Sequence, residues 1–318
     1  MIDKDKRKAI MTLSIVTPIY NDSYLAYDFV KSVLNLKLPP EVVLIEIIFV
    51  VDGSGIKDEK EIKKIGEHSV KVKMVALSRN FGQHIAVSAG YAFAKGDLIC
   101  MMNVDQQDPV DNILVLLPQI LTGDCDVVYG LRKKRNDRHF KEYTSYIFNI
   151  LLNKLTGQNI PLNIATIRIM SRRFVDAYNQ LSENSRYLPG LENWLGFTKT
   201  YVVTEHQSRR DSKSSYNLSK RLFMAVEAII SFSDLPLRLI AILGFILAIT
   251  GFVLLLFLVL TQFFLVSYQP GYTSTIGIII FIGGVQIFLT GLSAIYVGRI
   301  LREVQNRPLY IVKETHNF

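Results

Sequence analysis

Apolar residues in the first part of the chain fall into short runs separated by stretches with helical spacing. Leu13–Thr17 (LSIVT), Ile45–Val51 (IEIIFVV), Val70–Leu77, Leu98–Met102 and Asp126–Tyr129 each hold four to eight residues, the length and composition of buried strands. Helices are expected between them near Ser23–Asn35, Asp58–Glu67 and Gln83–Lys95. Strand–helix alternation of this kind predicts an α/β domain: a mostly parallel, Rossmann-like sheet with helices on both faces. Ligands of such sheets bind at the carboxyl ends of the strands.

The pattern changes towards the C-terminus. From Leu239 to Gly298, 60 consecutive residues include no Asp, Glu, Lys, Arg or His. Leu239–Val266 would make about 42 Å of helix and Thr275–Gly298 about 36 Å, each enough for a bilayer core of about 30 Å. Pro270-Gly271 forces a turn between them. Arg238, Arg299, Arg302 and Arg307 flank the outer ends and the short loop has no basic residue, so both termini are expected in the cytoplasm. A buried core hairpin is the competing reading. Asn217–Asp234 spaces Leu222, Phe223, Val226, Ile229 and Ile230 as one apolar helix face, for a helix on the inner membrane surface or one packed on the domain. The expected organisation is a cytoplasmic domain at 1–216, an interfacial helix at 217–235, a transmembrane hairpin at 236–301 and a tail at 302–318. Glycines at 283, 284, 291 and 298 allow close helix packing and self-association into a homo-oligomer.

Composition narrows this further. The 318 residues are 49% hydrophobic with a mean hydropathy of +0.25, too apolar for disorder. The net charge of +8 beside an apolar tail points to membrane lipids and phosphorylated substrates, with no nucleic acid among the expected partners. Cys100 and Cys125 sit in strand-like runs and read as reduced core residues. The charged start, Met1–Met11, carries no signal peptide.

Polar clusters follow four successive strands: Pro18-Ile19-Tyr20-Asn21-Asp22, Val51-Asp52-Gly53-Ser54, Ser78-Arg79-Asn80-Phe81-Gly82, and Asn103-Val104-Asp105-Gln106-Gln107-Asp108-Pro109. There is no GxGxxG and no GxxxxGK[ST]. Asp105 and Gln107 project to one side of an extended segment, where a carboxylate and an amide oxygen can hold a hard divalent cation, Mg²⁺ or Mn²⁺. A cation there would neutralise a diphosphate leaving group.

In the order of these motifs the chain resembles the family-2 inverting glycosyltransferases of the A-type fold, in the polyprenyl-phosphate branch that carries a C-terminal membrane hairpin. The most specific stretch is Ala76–Pro109 (ALSRNFGQHIAVSAGYAFAKGDLICMMNVDQQDP), followed by IRIMSRRFVDAYNQL, ENWLGF and SFSDLPLRL. The resemblance implies an inner-membrane, multi-pass enzyme that moves a sugar from a nucleotide-diphosphate sugar, most commonly a UDP-sugar, to undecaprenyl or another polyprenyl phosphate. It implies a flippase and a downstream glycosyltransferase as partners in building envelope polysaccharide. By position, Pro18, Tyr20, Asp22 and Asp52 border the nucleotide, with Asn103 in the same binding set. Asp105 and Gln107 hold the metal, and Arg132 lies near the phosphates. Lys141 and Ser145 contact the acceptor phosphate, and Arg209 belongs to the loop that closes over both substrates. The dense basic run Arg132–Lys141 fits a pocket for two phosphorylated substrates, or else a solvated basic face or an anionic-lipid contact.

The chain departs from the family pattern at Val51, at Asn103 in place of the first acid of D-x-D, at Ala165-Thr166-Ile167-Arg168 in place of G-D-F-R, and at Ser215 in place of a lysine. A polyprenyl phosphate is already anionic at pH 7, so the reaction can proceed without a strong general base. Two rival readings stand beside this one: a transferase for another lipid or a polysaccharide acceptor, and a non-catalytic membrane scaffold that kept the fold. His84 reads as packing at a helix start beside Gly82, His206 as lying near the closing loop without a substrate role, and Trp194 as a membrane-facing or core aromatic.

Overall fold

The structure is a computed structural model that describes residues 10–132, 161, 163–183, 186–207 and 272–318, together with positions 242, 246, 249 and 253. The chain divides into two units, one of residues 1–154, 158–218 and 308–318, the other of residues 155–157 and 219–307.

The first unit is built on one eight-stranded sheet. Its strands are β1 (Met11–Ile19), β2 (Val42–Val51), β3 (Val72–Leu77), β4 (Leu98–Met101), β5 (Val127–Arg132), β6 (Ile164–Ser171), β7 (Lys199–Thr204) and β8 (Val312–His316). The spatial order is β7-β5-β6-β4-β1-β2-β3-β8. β1 pairs in parallel with β2 and β4, β2 with β3, and β5 with β7, whereas β6 lies antiparallel between β4 and β5 and β8 antiparallel on β3. The mostly parallel sheet is as expected. The antiparallel β6 and the use of the C-terminal segment as an edge strand are additions that local periodicity did not indicate.

β1 and β2 are interior strands of the sheet, and their near-continuous apolar sequence follows from burial on both faces. Helices α1 (Ala26–Leu34), α2 (Ile56–His68), α3 (Gln83–Phe93), α4 (Asn112–Leu121), α5 (Arg172–Asn179) and α6 (Leu188–Trp194) complete the unit. Phe29 of α1 meets Phe49 of β2 edge to face at 6.0 Å. The α3 helix packs so closely that a Cβ on Gly90 would stand 2.2 Å from Val16 Cγ1, so only glycine fits there. Cys100 and Cys125 are buried free thiols, and burial pushes Cys100 up to about 12, which makes it inert as a nucleophile.

In the second unit the described element is α7 (Tyr272–Val304), a helix of 33 residues. Counting the described residues, no helix is long and apolar enough to cross a membrane, so the two-span hairpin expected from the uncharged stretch is not supported. Its first half, Leu239–Val266, and the interfacial helix at 217–235 lie almost entirely outside the described residues.

Candidate active site

The four polar clusters come together at the carboxyl ends of β1, β2, β3 and β4, because these strands run parallel and adjacent. After β1 the chain passes Tyr20, which is half exposed, and turns at Asn21 through φ +62°. The turn is held by Asp58 of α2, whose Oδ2 accepts from Asn21 N at 2.8 Å and whose Oδ1 accepts from Ser23 Oγ at 2.6 Å. Ser54, beyond β2, donates a further hydrogen bond to Asp58 Oδ2. Pro18 lies within β1 opposite Val50, and Asp22 precedes the single 3₁₀ turn Ser23–Leu25.

Asp52, at the end of β2, is 3% exposed. Its Oδ1 accepts from Phe81 N at 2.8 Å and its Oδ2 from Gly82 N at 2.9 Å. Burial raises its carboxyl above the usual range, against the opposing pull of those two N–H groups and of Arg79. Asp52 therefore clamps the loop after β3. Beside it Gly53 takes φ +65°, and a Cβ would meet the Arg79 carbonyl carbon at 2.1 Å, so the loops after β2 and β3 touch backbone to backbone.

The loop after β4 holds the proposed metal ligands. Gln106 sits at φ +50°, a left-handed kink between Asp105 and Gln107. Gln107 N donates to Asp105 Oδ1 at 3.2 Å. Asn103 Oδ1 accepts from Gln83 Nε2 at 3.2 Å. An amide at this position carries N–H donors as well as an oxygen, where a carboxylate carries oxygen alone. Among the described residues no group of three His, Cys, Asp or Glu side chains is placed to hold a metal ion.

Arg132, at the end of β5, joins this loop through Asp108: its Nη2 is 3.6 Å from Asp108 Oδ2. The guanidinium is 35% exposed, and its Nε, though buried, has no hydrogen-bond partner among the described residues. Asp108 itself is buried, receives Thr166 N at 3.0 Å and Ile167 N at 3.4 Å, and faces His206 Nδ1 at 3.1 Å. Asp108 and His206 were not among the residues singled out for the site. The available signal was an acid directly after Gln107, but an acid before proline reads as an ordinary turn. Lys141, Ser145 and Arg209 lie outside the described residues.

Beneath the rim, Arg168 Nη1 meets Glu192 Oε2 at 2.6 Å, and Tyr129 and Tyr91 hydroxyls donate to the same carboxylate at 3.0 and 3.4 Å. Burial opposes the Arg168 charge, but Glu192 outweighs it and holds the guanidinium protonated beyond its usual range. Burial, with Arg168 nearby, lowers His84 to about 4, so its imidazole is neutral at physiological pH. Its ring meets Tyr187 edge to face at 5.9 Å, as a packing residue would. Trp194 is 65% exposed within this unit, which removes the core reading for it.

Residues 14–178 match the model of the family described as glycosyl transferase family 2. The chain is 35% identical over 303 residues to an uncharacterized glycosyltransferase of Synechocystis sp., covering 95% of each chain. It is 33% identical over 308 residues to the SfII prophage-derived bactoprenol glucosyl transferase of Shigella flexneri, covering 96% of this chain and 99% of that one. Among solved structures, glucosyl-3-phosphoglycerate synthase from Mycobacterium tuberculosis, in complex with Mn²⁺, UDP and its product, superposes with a TM-score of 0.50 at 17% identity. That match covers 69% of this chain and 77% of the other, and shows a shared fold.

Proposed function

We propose, for a chain that belongs to glycosyl transferase family 2 and is a glycosyltransferase, that it transfers a sugar from a nucleoside-diphosphate sugar to polyprenyl phosphate with inversion at the anomeric carbon. The observation that carries this reading is the loop after β4, where Asp105, Gln107, Asn103 and, through Asp108, Arg132 gather at the strand ends. Its donors suit a diphosphate. The buried Arg132 Nε without a partner among the described residues and the Asn103 N–H groups are anion ligands. Asp105 and Gln107 supply hard oxygen, the type that Mg²⁺ or Mn²⁺ takes when substrate phosphates complete its shell. Such an ion, when bound, adds Lewis-acid neutralisation of the departing diphosphate.

The chain's own residues do the rest. The loops fixed by Asp58 and Asp52 border the nucleotide, with Tyr20 exposed on that side. Arg132 screens charge on the leaving group, and the acceptor phosphate oxygen attacks from the opposite face. The phosphate acceptor is supported by the full-length similarity to bactoprenol glucosyl transferases and by Thr166, whose position carries no acid to activate a hydroxyl. Lys141, Ser145 and Arg209 are assigned to the acceptor and closing loop on resemblance to the family. Membrane attachment through 236–301, with the catalytic unit in the cytoplasm, rests on the 60 uncharged residues. The lipid-linked product then requires a flippase and a further transferase.

The test is release of nucleoside diphosphate by the detergent-purified chain from a panel of nucleotide sugars, with and without polyprenyl phosphate and Mn²⁺. Release from one donor that needs both lipid and Asp105 is expected. Nucleotide binding without lipid-dependent release would favour the non-catalytic scaffold, and release with a different acceptor would move the reaction to another lipid or a polysaccharide.

A further inference from the structure

The segment after β7 is fastened to the loop after β4 by a short ladder. Asn112 Nδ2 donates to Glu205 O at 2.9 Å, and Glu205 N returns a bond to Asn112 Oδ1 at 3.1 Å. Gln207 N donates to Gln107 O at 2.8 Å. Between these, His206 Nδ1 stands 3.1 Å from Asp108 Oδ1, with the imidazole 14% exposed and the carboxylate 5%. The other oxygen of Asp108 is already engaged by two β6 N–H groups and faces Arg132. A carboxylate oxygen only accepts, so His206 Nδ1 carries a proton and donates it to Asp108.

We propose that His206 is a positioning residue: its Nδ1–H fixes the Asp108 carboxylate, and through it the Asp105–Gln107 loop and the Arg132 guanidinium, in the arrangement a nucleoside diphosphate needs. This rests on the reading of those residues as the diphosphate site. Asp108 is shared by three parts of the chain: the metal-ligand loop, β6 and the end of β5. With Oδ1 satisfied by His206, Oδ2 remains on β6 and the ion-pair distance to Arg132 stays at 3.6 Å. Without that donor, a buried carboxylate oxygen is left unsatisfied and the group turns towards the nearest cation. Arg132 would then be drawn onto Asp108 and away from the phosphates.

Two substitutions separate the two nitrogens. The side-chain amide nitrogen of asparagine stands the same number of bonds from Cβ as His206 Nδ1, and that of glutamine the same number as Nε2. In the detergent-purified full chain, Mn²⁺-dependent binding of UDP is measured by calorimetry for the parent, H206A, H206N and H206Q. Steady-state kcat and donor KM are measured alongside, with thermal unfolding as a check on folding. H206A is expected to weaken Mn²⁺-dependent UDP binding by about 10- to 100-fold, the usual effect of losing a group that orients metal ligands, and to raise donor KM more than it lowers kcat. H206N should restore most of the loss, whereas H206Q should behave like H206A. Rescue by H206Q and not by H206N would overturn the proposal, because it would place the function at Nε2. Parent-like binding in all three variants would overturn it too. Should H206A not fold, the contrast of H206N with H206Q carries the test. If the parent binds UDP with Mn²⁺ but turns over no donor, the transfer reaction fails while the binding series still judges His206; if the parent binds no UDP, both fail.

Discussion

Around the candidate site, the two sides of the sheet handle their buried carboxylates differently, although farther from it Glu46 of β2 is ion-paired with Lys73 of β3 at 2.6 Å. On the β1–β2–β3 side, Asp58 and Asp52 are answered by neutral donors: Asn21 N and two serine hydroxyls for one, Phe81 N and Gly82 N for the other. On the β4–β6–β5 side, Asp108 and Glu192 face guanidinium groups, Arg132 and Arg168. The reason is the direction of β6. Running antiparallel between β4 and β5, it sets Arg168 opposite both Met101 and Tyr129 and starts beside the loop after β4. On the other side, the loop after β3 turns the Phe81 and Gly82 N–H groups to Asp52, and the turn after β1 gives Asn21 N to Asp58. At the candidate site the first side uses acids to shape loops, while the second holds charge where a phosphorylated substrate is expected.

The comparison breaks most readily at the buried pair. Arg168→Met leaves Glu192 buried without its cation and should cost about 3–5 kcal/mol of stability in chemical denaturation. A loss no larger than that of an Asp52 variant would remove the distinction between the halves. Asp105→Ala should lower kcat by about 100- to 1,000-fold, the scale of losing one preorganised electrostatic group, with thermal unfolding unchanged. Equal loss of activity and stability would make Asp105 a structural residue like Asp52.

His84 gives a pH test in the same half. Its folded value is lowered from 6.5 to about 4, so between these values the unfolded chain binds the proton and the folded chain does not. Stability from this group is complete above pH 6.5 and falls away as pH drops towards 4, by at most about 1.4 kcal/mol per unit. His84→Leu should flatten that slope in urea melts taken at several pH values, and an unchanged slope would mean that the imidazole is protonated in place. Asp52→Ala strands the Phe81 and Gly82 N–H groups and should cost about 1–3 kcal/mol, together with weaker UDP binding in calorimetry. Lys313→Ala, which removes an exposed partner of Glu59 at 2.8 Å, should shift stability by less than about 1 kcal/mol; a larger shift would show that β8 contributes more than an edge strand's surface pairs suggest.

The first four strands and the helices between them were legible because each is specified by its own residues. Leu13–Thr17 and Ile45–Val51 are buried runs wherever they pack, and Gln83–Phe93 is helical with Gly82 at its start. Asp105 and Gln107 could be picked out as candidate metal ligands for the same reason, since two residues in one loop need no distant partner to be noticed. Other features were not legible. β6 and β8 have unremarkable sequences and become strands by finding a partner far away in the chain. Asp108 bonds Thr166 and His206 across separations of 58 and 98 residues, and Arg168 bonds Glu192 from a different element.

By itself the sequence determined the α/β class, the order of polar clusters along the first four strands, the family and the carboxylate–amide pair of the β4 loop. Only the tertiary structure decided which acids are consumed in holding loops and which face cations. It also decided that Asn103 is joined to Gln83 and His206 to Asp108. The physical reason is that periodicity and residue type fix what a segment can become on its own, whereas a hydrogen-bond partner is fixed by strand order and direction. Those are settled when the segments pack together.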